Sequence, residues 1–121
     1  MDVILVTGPG GQTGLSGRFV RPVVQIPQVD WQQETVLVVD MGEQRTAGYG
    51  ITIEHSRLTP AGEIQLLLHI RRPGRGAFVA QVLTHPYAVV TIPRTWLKSD
   101  GVTVVGVDQN GAEVLRQVVT P

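Results

Sequence analysis

"ILVTGPGGQTGLSGRFVRPVVQIPQVDW", residues Ile4 to Trp31, is the stretch that decides the fold. Its first half is a short apolar run leading into Thr7-Gly8-Pro9-Gly10-Gly11-Gln12-Thr13-Gly14. That is the look of a dinucleotide-binding turn, where glycines let the backbone approach a pyrophosphate at a helix N-terminus. The second half withholds the helix. Gly17 stands where the first helical turn would form, and Pro22 and Pro27 would each cut it. Between them lie Phe19, Val20, Val23, Val24 and Ile26, which favour strands. Asp30 falls about 20 residues on, where a ribose-binding acid is expected, but one carboxylate in so wide a window identifies nothing. No lysine follows the glycines, and Ser16 lies in Gly-Leu-Ser-Gly rather than in a nucleophile elbow. The stretch therefore reads as a glycine-rich connection between strands, and no cofactor is expected. A nucleotide-dependent enzyme using the 7–14 loop is the alternative that a helix over Leu15 to Val24 would restore.

The rest of the composition narrows the class. A chain of 121 residues is one domain, large enough for a core without staples. Ten Lys and Arg balance ten Asp and Glu, so no global field points to nucleic acid or an anionic membrane. No stretch approaches the roughly 18 apolar residues of a membrane span. There is no cysteine, which removes disulfides and thiol chemistry and leaves the compartment open. No basic and apolar leader opens the sequence, and there is no lipid-attachment cysteine.

Almost every periodic segment alternates with period two. In Ile51 to Ser56, Ile51, Ile53 and His55 share one face; in Glu63 to Arg71, Ile64, Leu66, Leu68 and Ile70 do. Further β-branched runs are "ETVLVVDM" (34–41), "AFVAQVL" (77–83), "PYAVVTI" (86–92), "VTVVGVD" (102–108) and "EVLRQVV" (113–119). Thr59-Pro60-Ala61-Gly62, Pro73-Gly74-Arg75-Gly76 and Asp108-Gln109-Asn110-Gly111 separate them, the Asn-Gly pair supplying the positive φ of a tight hairpin. The only helical turn expected lies within 94–99. Eight or nine short strands at regular spacing imply an all-β domain, a two-sheet sandwich or partly open barrel. It runs as one unit: N-terminal strands and loop over 1–28, a middle region over 29–93, and a turn with a hairpin over 94–121.

The middle region carries a resemblance. Val29-Asp30-Trp31, Gly42, Arg45-Thr46-Ala47-Gly48-Tyr49, the run Ile51-Thr52-Ile53, Pro73-Gly74, Thr84-His85-Pro86-Tyr87 and Ile92-Pro93 are similar to the pattern G-x-x-x-T-G-G-Y, then T-x-P-Y and I-P. This pattern resembles the C-terminal domain of the PrcB family, protease-complex accessory subunits related to the partner of the dentilisin-type protease. Ala47 replaces the first of the paired glycines, and Gly50 stands where a small polar residue is common. The resemblance implies a non-catalytic protein-interaction module, an accessory or stabilising subunit whose partner is a protease outside the cytoplasm. A second similarity is to chagasin-type cysteine-protease inhibitors. "RTAGY" and "PGRGA" look like their first two binding loops, while His85-Pro86-Tyr87 follows too soon to be the third. Protease inhibition is therefore the alternative function.

On this reading the binding residues are Thr46, Gly48, Tyr49, Arg75, His85, Pro86 and Tyr87, with Tyr49, Arg75 and Tyr87 clustered at one end of the sandwich. Loops on a rigid scaffold commonly bind, and Tyr and Arg are favoured anchors. Gly48 is expected to adopt a φ closed to other residues. No catalytic residue is assigned. His55, His69 and His85 lack metal-motif spacing and read as core or cross-strand residues, so no metal is expected. Arg71, Arg72 and Arg75 form a basic turn, but aromatic residues are only 5% of the chain and no stacking strand accompanies the arginines, which argues against nucleic acid. Self-association through the Leu67 face or an unprotected edge is a further expectation.

Overall fold

The computed structural model describes residues 1–9, 26–76 and 78–121. The glycine loop from Gly10 and the stretch from Leu15 to Val24 lie outside the described residues.

Among the described residues, seven strands form two sheets. The first is antiparallel, with strand β2 (Glu34–Asp40) between β1 (Asp2–Val6) and β5 (Tyr87–Pro93). The second runs β3 (Gly50–Leu58), β4 (Ile64–Arg71), β6 (Val102–Val107) and β7 (Glu113–Val119). Its β4–β6 pair is parallel, because the chain leaves this sheet after β4, builds β5 in the other, and then returns. The sheets face each other and do not close into a barrel, so the sandwich is the architecture found. The expected helical turn is a 3₁₀ turn at Arg94–Trp96. Among the described residues β1 is an edge strand with an antiparallel neighbour, not the parallel strand into which a dinucleotide turn is built. Asp30 instead closes the turn into β2, its carboxylate accepting the Gln32 N–H (3.2 Å) and its carbonyl those of Gln33 and Glu34.

The core lies where alternation put it. Ile64, Leu66, Leu68 and Ile70 of β4 are all buried, and meet Leu37, Val39 and Ile92 of the first sheet and Val104, Leu115 and Val119 of the second. The other face of β2 is also covered. Val36 and Val38 are sealed by Ile26, Val29 and Trp31 on the approach to the strand, so β2 is a near-continuous apolar run.

Two expectations fail for local reasons. "AFVAQVL" forms no strand: from Phe78 to Leu83 the chain is an irregular connection, and only Thr84 pairs, with Gln44. In β3, Ile53 pairs with Leu68 but His55 with Leu67, so Glu54 is an extra residue. A bulge of this kind reverses the alternation beyond it, and His55 is exposed rather than inward. At the last hairpin only Gly111 has a positive φ (80°), while Asn110 does not. The Asp108 carboxylate receives the N–H groups of Asn110 and Ala112 and holds the loop.

Two glutamines finish the sheets where strands stop. Gln117 of β7 receives the Val3 N–H (3.0 Å) and donates to the Val3 carbonyl (2.8 Å), acting as a one-residue strand against the β1 edge. Gln109 does the same for Ile70 (3.0 and 2.8 Å) beyond the end of β6. Gln117→Ala is expected to cost about 1 kcal/mol in urea unfolding, since the Val3 carbonyl loses its side-chain donor and the Val3 N–H keeps only the Asp2 carboxylate (2.9 Å). Gln117→Glu is expected to cost at least as much, because it keeps the acceptor, loses the donor and faces the Val3 carbonyl with negative charge.

Candidate functional site

The other seam between the sheets is built differently. Here the edge strands β3 and β5 lie side by side, and two connections cross from sheet to sheet. One, residues 41–49, carries the chain from β2 to β3; the other, 72–86, returns it from β4 to β5. They are stitched together. Gln44 and Thr84 exchange backbone hydrogen bonds (both 2.8 Å), Ala47 N–H reaches Ala80 O (3.0 Å), and Met41 N–H reaches Pro86 O (3.0 Å). The Thr84 hydroxyl adds a bond to Thr46 O (2.9 Å).

Between this double crossing and the outer end of β3 lies a cleft of about 370 Å³. Tyr49, Gly50, Ile51 and Thr52 form one side, His69 and Arg71 of β4 the next, and Thr84 to Tyr87 the last. The volume falls within the roughly 300–1,000 Å³ of small-ligand and peptide sites.

Its wall contains a buried ion-pair geometry. The His85 Nε2–H donates to Asp40 Oδ1 at 2.6 Å, with side-chain exposures of only 8% and 6%. The same oxygen receives the Gly42 N–H (2.8 Å), which holds the turn where Gly42 takes φ 86°. One carboxylate at the end of β2 thus anchors both crossing connections.

The expected binding residues separate on inspection. Tyr49, His85, Pro86 and Tyr87 come together in the cleft. Thr46 stands behind it, its hydroxyl accepting the Gly48 N–H at 3.4 Å. Gly48 is needed for a reason other than the one expected, since it has no positive φ. A methyl there would stand 2.5 Å from Pro73 Cγ and 2.9 Å from Pro73 Cβ, so the glycine lets the two crossing turns touch. Arg75 is exposed on its turn and does not line the cleft; Arg71 does. Gly50 makes room for it, as a methyl there would meet Arg71 Nη2 at 2.5 Å. Sequence reading missed Arg71 as a site residue and Asp40 as a partner of His85. Alternation did put Arg71 on the outward face of β4, but which turn it would meet is a tertiary fact.

Among the described residues there is no group of His, Asp and Glu able to hold a metal, and no helix is long and apolar enough to cross a membrane. Elsewhere Arg116 bridges Glu113 (2.7 Å) and Glu63 (3.0 Å) on the surface. The hydrogen bond from Arg116 holds the Glu113 carboxyl below the usual range.

A protein-family comparison bears on this region. Residues 35–93 match the PrcB C-terminal family. The match covers a little under half the chain, from β2 through β5, and contains Asp40, both crossing connections and every residue lining the cleft. The resemblance to the PrcB C-terminal domain thus rests on the part of the fold that builds the site. Val29 to Trp31, β6 and β7 lie outside the PrcB span. Nothing matches the chain among the curated proteins or among the solved structures.

Proposed function

We propose that the chain is a non-catalytic protein-interaction module, an accessory subunit that docks on a protease through the cleft and the connection beside it. The observation that carries this reading is the state of residues 78–83. Phe78 is fully exposed, and Val82 (50%) and Leu83 (57%) are open to solvent, although the segment has the composition of a buried strand. The connection is stitched to the opposite crossing at Ala80 and Thr84, and it runs directly into the cleft at Thr84. Apolar and aromatic groups gathered on a surface loop favour a partner that covers them. The PrcB match is consistent with a protease-complex accessory role.

One observation favours a second, catalytic reading: the Asp40–His85 pair is the arrangement of a base and the acid that orients it. Its weakness is that among the described residues no hydroxyl is shown within hydrogen-bond reach of His85. The hydroxyls lining the cleft belong to threonine and tyrosine, and no serine is among them.

The test is capture from an extract of the native host, using wild type and Phe78→Ser/Val82→Ser. Wild type is expected to recover a protease, and the variant to recover about tenfold less at unchanged melting temperature, the loss of roughly 1.4 kcal/mol of binding. Equal recovery would discard the surface. If the captured protease loses its turnover, the chain inhibits it, as the chagasin-type similarity implies; retained turnover fits an accessory role.

A further inference from the structure

Within that reading, the cleft has a chemistry that specifies what enters it. We propose that it takes an extended peptide segment as an added strand on β3, with a carboxylate of that peptide held by Arg71. Three observations lead there.

The first is the free edge. β3 is the outer strand of its sheet, and Gly50, Ile51 and Thr52 form one side of the cleft. Among the described residues no backbone hydrogen bond outside the β3–β4 ladder involves these three. An edge of this kind presents a row of donors and acceptors to an extended chain, which is how peptides augment sheets.

The second is charge. The Arg71 side chain makes no hydrogen bond or ion pair with any described residue, unlike those of Arg57, Arg94 and Arg116. No Asp or Glu is among the described residues lining the cleft, and Asp40, behind its His85 wall, is buried and bonded to His85 and Gly42. His69 lines the same cleft and adds no negative charge. Among the described residues the site is a cationic fork without a counter-ion, suited to a bidentate carboxylate.

The third is position. Arg71 pairs with Gly50 at the start of β3, so its guanidinium marks one end of the edge. A strand laid along Gly50–Thr52 would bring its terminal or side-chain carboxylate to that end. Tyr49 and Tyr87 would flank its side chains.

The probe is a peptide array of random β-branched sequences in three forms: with a free carboxy terminus, amidated, and amidated with one internal aspartate. The full chain is tested as wild type, Arg71→Gln and, as a control on the same turn, Arg72→Gln. Wild type and Arg72→Gln are expected to bind the carboxylate-bearing forms, and Arg71→Gln about tenfold or more weakly, the worth of a charge-assisted hydrogen bond. Which of the two carboxylate forms binds identifies its source. Backbone N-methylation of the best binder is expected to abolish binding. Equal binding of the plain amide, indifference to Arg71→Gln, tolerance of N-methylation, or no binding at all would each overturn the inference. Capture of the protease separates this from the parent reading. If capture depends on Phe78 and Val82 while the array result is negative, only the carboxylate-bearing strand is lost.

Discussion

His85→Ala is expected to lower folding stability by about 2 kcal/mol, within the usual cost of taking a hydrogen-bond partner from a buried polar group. The Asp40 carboxylate accepts from His85 at 2.6 Å and from Gly42 at 2.8 Å, in a place water barely reaches. Removing the ring deletes the shorter of these bonds and leaves a buried oxygen with less to accept. Asp40→Asn is expected to cost only about 1 kcal/mol, because the amide oxygen still accepts from both donors while the charge attraction is lost. The double variant Asp40→Ala/His85→Ala is expected to be less destabilised than the two single alanine changes summed, since neither leaves an orphan for the other. Urea titrations of these proteins measure all of this. Hydrogen exchange adds a spatial readout: in His85→Ala the amides of Gln44 and Thr84 are expected to lose protection, because the pair anchors both crossing connections. A loss under about 1 kcal/mol in His85→Ala, with those amides still protected, would mean that the pair is not a strut, and would shift attention to the catalytic reading.

That pair also marks where sequence reading stops. Within β4 the alternation of Ile64, Leu66, Leu68 and Ile70 was legible because period two is written in adjacent residues. The same logic placed Ile51 and Ile53 correctly and failed one residue later, since a bulge at Glu54 leaves no local trace yet turns every side chain after it. Residues 78–83 were misread because strand propensity reports what a side chain would suit, not whether an edge is available to pair. The short motifs did point to Tyr49, His85, Pro86 and Tyr87, which the fold gathers from two well-separated parts of the chain. They pointed to Arg75 rather than Arg71, because proximity in sequence to the Pro73-Gly74 turn says nothing about which arginine faces β3. Asp40 and His85 are separated by 45 positions, and nothing in either neighbourhood names the other. The parallel β4–β6 pairing is likewise a consequence of the crossing connections, not of any segment's own pattern.

Leu68→Ala is expected to cost about 3 kcal/mol, the transfer of a fully buried leucine plus the cavity it leaves, and a second change should give part of that back. Gly106 of β6 lies under the leucine. A methyl on Gly106 would stand 2.9 Å from Leu68 Cδ1 and 3.0 Å from Leu115 Cβ, so Gly106→Ala alone overpacks the core and is expected to cost about 1–3 kcal/mol. When Leu68 is truncated, the Cδ1 contact vanishes and the added methyl occupies some of the vacated space. The Leu115 contact remains, because Leu115 is the paired residue on β7 and its Cβ moves only with that strand. The rescue is therefore partial. Leu68→Ala/Gly106→Ala is expected to be more stable than the sum of its single changes predicts by about 1 kcal/mol, within the range of coupling for residues in contact. Strict additivity in urea midpoints would mean that the two side-chain positions do not share a volume, and that β4 and β6 do not present these residues to each other.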